Sequence, residues 1–289
     1  MVNELVHAVV LVGVVVVLPL VFGGFRRWCL VGIAVATSFA LPVGPAAAAV
    51  ASVWLALAIW TAVQFGTASQ FGTAPQFGTA PQFGTVRDVP RQAVELLAAG
   101  FGVVAASALL LSRAGVSLFG IGEPIVELTA VHFTYAGVGA VTLAGAVAAG
   151  PVGRLALLAT ASAPPIVAVG FVLAHPLPQV GGAVLMSTGV LLIAALQLRD
   201  AAVGSAVGTS VRRVLLALSG VAPWVPMVLA VAWASSLYWD VPALSVPDMA
   251  RTHGVMNVVF VVAGLLARRT GGEQFESAAR SLHVHGARP

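Results

Sequence analysis

The chain alternates long apolar runs with short polar or turn-forming gaps. Apolar runs cover roughly residues 5–25, 28–43, 46–63, 92–112, 124–149, 152–174, 179–198, 211–237 and 249–267. All but the second come near or above the ~20 apolar residues that carry a helix across a bilayer core. In lipid every backbone polar group must find a partner within the protein, which leaves helices or closed barrels, and runs this long are helices. The pattern therefore predicts an all-α integral membrane protein with about nine transmembrane helices in one bundle. Only Pro42, Gly44 and Pro45 mark the split of 28–63. One span plus a re-entrant piece in that stretch makes the count eight and reverses the N-terminus. Residues 1–4 carry no basic side chain, and the first run is long for a signal core, so it is predicted to stay as an uncleaved span.

Charge orients this bundle. Of 289 residues only 8% are charged, and all 14 basic residues are arginines. Arg26, Arg27, Arg87, Arg91, Arg154, Arg199, Arg212, Arg213, Arg268, Arg269, Arg280 and Arg288 all fall on one side of a nine-span arrangement, and only Arg113 and Arg251 on the other. The positive-inside rule then places the N-terminus outside and the C-terminus in the cytoplasm of a plasma membrane. The net charge of +4 does not point to nucleic acid, because the arginines flank apolar segments instead of forming a patch. The implied partner is the lipid bilayer. A single cysteine, Cys29, rules out an internal disulfide.

Four segments follow: N-terminal transmembrane helices over 1–63, a cytoplasmic low-complexity loop over 64–91, the main bundle over 92–269, and a cytoplasmic tail over 270–289. The loop holds four copies of Gln-Phe-Gly-Thr, starting at Gln64, Gln70, Gln76 and Gln82. A six-residue period is too short for the helical repeat families, and the glycine- and proline-rich copies read as a flexible tandem expansion.

Polar residues inside the spans remain to be explained, because an ionisable group in a span is expensive and is a functional candidate by default. His7, His132, His175 and His253 lie near spans, in or near their outer halves, with Glu123, Glu127, Asp240 and Asp248 on the same side. His132 is the deepest. Helical spacing puts Tyr135 on its face, with Glu127 and Thr134 on a neighbouring one. Ala136, Ala140, Ala144 and Ala148 form a small-residue ridge that marks this helix as central. The last span opens with a capping box at Ser245-Val-Pro-Asp248. Arg251 sits within pairing distance of Asp248, and His253 and Asn257 share a face. Structural readings stand beside these: His132 as a hydrogen-bonded histidine between helices, His253 and Asn257 as interhelical glue, and Glu127 with Arg251 as an ion pair. Pro164, Pro165, Pro223 and Pro226 add kinks at mid-span. No nucleotide-binding, zinc-protease, redox-cysteine, haem-attachment or serine-hydrolase motif is present, which points away from an enzyme and from ATP-driven transport.

Two stretches carry a resemblance. Leu128-Thr-Ala-Val-His-Phe-Thr-Tyr-Ala-Gly137 and Thr252-His-Gly-Val-Met-Asn257 resemble the signature segments of the YndJ-like family of bacterial and archaeal membrane proteins. The resemblance covers the fifth span to the ninth. It implies a multi-span protein of a family often labelled as transporters, with His132, Tyr135, Gly137, His253, Gly254 and Asn257 at the motif positions. Relatives often carry a second histidine where this chain has Thr134, and Ala-x-Gly-Phe where it has Val258-Val-Phe260. The missing histidine counts against a metal site more than against transport.

Three functions follow as expectations. The first is a small-molecule or ion transporter, whose outward-facing pathway is lined by Glu127, His132, Tyr135, Arg251, His253 and Asn257. The second is a membrane-embedded metal- or haem-binding redox protein, with His132, His253, His7 and His175 as candidate ligands. The third is a non-catalytic membrane partner or assembly protein. A shared site requires His132, Tyr135, His253 and Asn257 to converge.

Overall fold

The computed structural model describes residues 2–71, 91–117, 120–203 and 210–285, with the side chains of 2, 68–71 and 271–285 not among them. Gln76 and Gln82 of the repeats, Arg87 and Arg288 lie outside the described residues, as do the side chains of Gln70, Arg280, His283 and His285. The described residues form helices throughout: α1 Asn3–Phe22, α2 Phe25–Ala40, α3 Pro45–Phe71, α4 Arg91–Ala114, α5 Ile125–Ala146, α6 Gly150–Leu173, α7 Pro176–Val203, α8 Ser210–Ser236 and α9 Val246–Thr270. The helical path of α9 runs on to His285. Eight of these are long and apolar enough to cross a membrane. The exception, α2, has 16 residues and is about 24 Å long, short of a ~30 Å hydrocarbon core.

The boundaries follow local chemistry. The split between α2 and α3 is real. Leu41 turns extended after Ala40, Gly44 adopts φ +146, and Pro45 opens α3 with its pre-set backbone. The Gly44 N–H donates to Arg113 O at 2.8 Å, so this turn sits beside the end of α4. The first Gln-Phe-Gly-Thr copy is helical rather than loop, because Phe65 is buried against Phe22 at 5.8 Å between ring centroids and holds the end of α3. Pro223 and Pro226 break α8 as expected, with one helical segment ending at Val221 and the next starting at Trp224. Pro164 and Pro165, in contrast, sit within an unbroken α6.

Consecutive helices run up and down between two ends. One end gathers His7 of α1, Phe39 of α2 and Arg113 of α4: His7 stacks on Phe39 at 3.8 Å, and the Arg113 guanidinium lies 5.7 Å from the same ring. The opposite end gathers Phe22, Trp28, Phe65 and the arginines of α9. Arg268 Nη1 donates to Thr142 O at 2.9 Å and Arg269 Nη2 to Pro19 O at 2.7 Å, tying α9 to α5 and α1. Although short, α2 covers the same depth as α1, from the level of Phe22 to that of His7.

The small-residue ridge works as expected. Ala140, Ala144 and Ala148 are buried, and α5 packs against α1, α4, α6, α7 and α9. Two glycines permit the closest approaches. A Cβ on Gly13 of α1 meets Thr134 Cγ2 of α5 at 2.7 Å, and one on Gly139 of α5 overlaps Val261 of α9. These glycines thus let side chains of α5 and α9 seat directly on the backbones of α1 and α5.

Candidate functional site

Each of these three helices contains a widened π-turn: Gly13–Val17 in α1, Phe133–Gly139 in α5 and Ala250–Gly254 in α9. Such turns insert one extra residue into a helix and recur at functional sites. Those of α1 and α5 pack on each other, and that of α9 contacts α1. The signature segments 128–137 and 252–257 run through two of them, so the polar residues of both motifs stand where helix register changes.

His132 lies seven residues into α5 and His253 seven into α9, each about 10 Å along its helix. Their rings face each other with centroids 6.1 Å apart and planes inclined by 26°. His132 Nδ1 bonds to Leu128 O at 3.0 Å, one turn back on its own helix. His253 Nδ1 bonds to Pro226 O at 2.9 Å, across to the broken part of α8. A carbonyl only accepts, so both Nδ1 atoms carry the proton, and each neutral ring keeps its lone pair on Nε2. His132 is exposed and His253 half-buried. The N-terminal segments of α5 and α9 both pack on α1, and the two rings face each other across the interval between them.

The other motif residues do not all join this pair. Tyr135 was expected on the face of His132, but it is 4% exposed and its hydroxyl donates to Val9 O of α1 at 2.9 Å. The π-turn is the reason. Three residues after His132 an α-helix comes almost full circle, whereas the wider turn falls short and swings Tyr135 onto α1. Asn257 does not bridge helices. Its Nδ2 donates to His253 O at 2.7 Å, satisfying a carbonyl of the π-turn one turn back. The expected Glu127–Arg251 pair is absent. Arg251 bonds to Asp248 at 3.2 Å, as the capping-box spacing suggested, and Ser245 accepts from Asp248 N–H.

Glu127 instead meets His7, whose Nε2 lies 3.2 Å from Glu127 Oε1. The distance pairs them, but Oε1 receives no well-aligned hydrogen bond from any described residue. Near the same Phe39 ring lies Arg113, only 6% exposed. Its Nη2 donates to Leu41 O at 2.8 Å, and its Nε is buried without a partner. His7 and Arg113 are the residues that sequence reading undervalued. Arg113 was visible as one of two arginines outside the flanking pattern, but its acceptor lies 72 positions away. For His7 no local signal pointed to Glu127.

The four histidines do not form one ligand set. His175 is exposed at the α6–α7 turn, where its Nδ1 accepts from Leu177 N–H at 3.3 Å, and His7 is engaged with Glu127. Among the described residues no three His, Cys, Asp or Glu side chains converge as a metal centre. A pocket among Phe22, Arg27, Trp28, Trp60 and Phe65 lies at the opposite end and contains neither histidine nor carboxylate.

No curated protein and no solved structure matches the chain. One protein family does, over residues 8–261, a span that includes α1 and its π-turn as well as the two histidine segments. On that match, which covers most of its length, the chain belongs to the family of YndJ-like proteins.

Proposed function

We infer that this protein is a multi-pass transporter of the plasma membrane for a small molecule or ion, with the His132–His253 pair as its cargo site. The observation that carries the reading is the state of the two rings. Both Nδ1 atoms are fixed on main-chain carbonyls, and among the described residues neither Nε2 has a hydrogen-bond partner, although the two rings face each other. Two bare acceptors held by main-chain contacts suit a cargo that donates hydrogen bonds or carries positive charge. A histidine serving only as glue would use both nitrogens or bury the second.

The nine-pass arrangement supports this reading. With α2 counted as a short crossing, Arg26, Arg27, Arg91, Arg154, Arg199, Arg212, Arg213, Arg268 and Arg269 share the cytoplasmic side, and the N-terminus is outside. The histidine pair then lies toward the outer side, while Arg268 and Arg269 hold the cytoplasmic ends of α5 and α1 against α9. We read that combination as an outward-open state: tied at the arginine-bearing ends, with the facing histidine rings toward the outer side. The π-turns of α1 and α5 lie between the two levels, and that of α9 holds His253 itself, so a change of register there lets the outer halves move.

The test is a stabilisation screen on purified protein. Inorganic cations, ammonium, amines and amino acids are tested for raising the melting temperature. A cargo raises it in wild type and not in His132→Ala or His253→Ala, and it is then taken up by proteoliposomes holding wild-type protein. A solute that stabilises all three proteins equally, or binds without entering vesicles, contradicts the assignment.

A further inference from the structure

The His7–Glu127 contact belongs to no signature motif and is not used by the cargo site, yet it is an unusual object within spans. It joins α1 to α5 at 3.2 Å, and its two side chains retain only 26% and 14% exposure. The carboxylate oxygen nearest His7 accepts no aligned hydrogen bond. Beside it a guanidinium is almost wholly buried, with one nitrogen unpartnered and no ion pair among the described residues. A buried charge of this kind is costly unless its field is used.

We propose that His7 and Glu127, with Arg113 as fixed counter-charge, form a proton-binding site distinct from the His132–His253 pair: the site of the coupling ion. This rests on the transporter reading given above. Charge balance supports the assignment. When the pair is empty, neutral His7 and ionised Glu127 together with Arg113 sum to zero. When a proton from outer water is shared between His7 Nε2 and Glu127 Oε1, the cluster carries a single positive charge. Without Arg113 the empty state leaves a bare carboxylate in the span. With it, both states lie within one unit of neutrality, and so the proton can come and go.

The surroundings fit a site that both binds and reports. The charges that reach His7 are those of Arg113 from α4 and Glu4 one turn earlier on α1. Those that reach Glu127 are Glu123 from the turn before α5 and, again, Arg113. The face from α2 is uncharged, since Phe39 stacks flat on the His7 ring at 3.8 Å. On α9, which packs on α1, Arg251 is occupied by Asp248. Glu127 and His132 lie five residues apart on α5, and Tyr135 of the same helix is hydrogen-bonded to Val9, two residues beyond His7. Protonation of the pair therefore acts on the α1–α5 contact, and α5 carries His132.

The experiment is infrared difference spectroscopy of the full chain in lipid, recorded between neutral and acidic pH, in the band of protonated carboxyl groups. Wild type is expected to show a band that vanishes in Glu127→Gln, shifts in His7→Asn, and persists in Glu4→Gln and Glu123→Gln. If Glu127→Gln does not fold, Glu127→Asp keeps the carboxyl and is expected to displace the band instead. A band unchanged in both Glu127 variants overturns the proposal. So does a band lost equally in Glu123→Gln. The screen for cargo separates the two readings. A solute that still stabilises Glu127→Gln while the infrared band is indifferent to Glu127 leaves the transporter and removes the proton site. A Glu127 band in a protein that takes up no solute keeps the proton site and removes the transporter.

Discussion

Replacing Arg113 by methionine removes one charge from the bundle while keeping most of the side-chain volume. The variant loses a charge-assisted hydrogen bond to Leu41 O at 2.8 Å, worth about 1.5–3 kcal/mol. It also loses the guanidinium over the Phe39 ring at 5.7 Å, worth about 0.5–2 kcal/mol. Against this, a buried Nε with no partner disappears, which returns about 1–3 kcal/mol. The midpoints of these ranges leave a net loss of about 1.5 kcal/mol, concentrated at the turn joining α2 to α3, which Arg113 holds through Leu41 O and to which its own carbonyl is bonded through Gly44 N–H. Arg251→Met is the control. It breaks an exposed pair with Asp248 and costs about 0–1 kcal/mol. Both are read as thermal or denaturant unfolding in detergent, followed by the quantum yield of tryptophan. If Arg113→Met is as stable as wild type, or Arg251→Met falls as far, Arg113 is not the anchor described here.

Further outcomes test the packing. Gly139→Val drives side-chain atoms into Val261 and is expected to destabilise by about 1–3 kcal/mol, whereas Gly100→Ala has open space and gains about 0.5–1 kcal/mol; unfolding curves of the two decide it. Replacing Arg268 and Arg269 together by alanine frees Thr142 O and Pro19 O, so hydrogen exchange is expected to quicken at the ends of α1 and α5 that these arginines hold and not around Val9. Exchange that is unchanged at those ends would show that the two arginines tie nothing.

Much of the bundle was legible in the sequence because its signals are local. Apolar run length sets where helices lie, Pro42, Gly44 and Pro45 mark a real turn, and the Ser245-to-Asp248 spacing gives both a cap and the Asp248–Arg251 pair. The alanine ridge likewise foretold the central place of α5. The convergence of His132, Tyr135, His253 and Asn257 was expected from their places near the same ends of their spans, and of the four only the two histidine rings face each other, 6.1 Å apart. What failed was helical register. Tyr135 was placed by ideal 3.6-residue spacing, but a π-turn between it and His132 sends it to α1, and nothing in 133–139 announces the extra residue. Partner choice failed for a different reason. Glu127 has a nominal partner in Arg251, but that arginine has an acid one turn away, and a local contact forms at lower entropic cost than a distant one. The contacts of His7 with Phe39 and Glu127, and of Arg113 with Leu41, span separate helices and exist only once α1, α2, α4 and α5 are assembled.

The most direct measurement is accessibility of the two histidine positions from each side of the membrane. In a Cys29→Ser background, His132→Cys and His253→Cys are reconstituted in one orientation and exposed to a membrane-impermeant maleimide. The outward-open arrangement predicts that both cysteines react with reagent added to the side of the N-terminus and neither reacts from the arginine-rich side. Labelling only from the arginine-rich side, or at neither position in a folded protein, would contradict it.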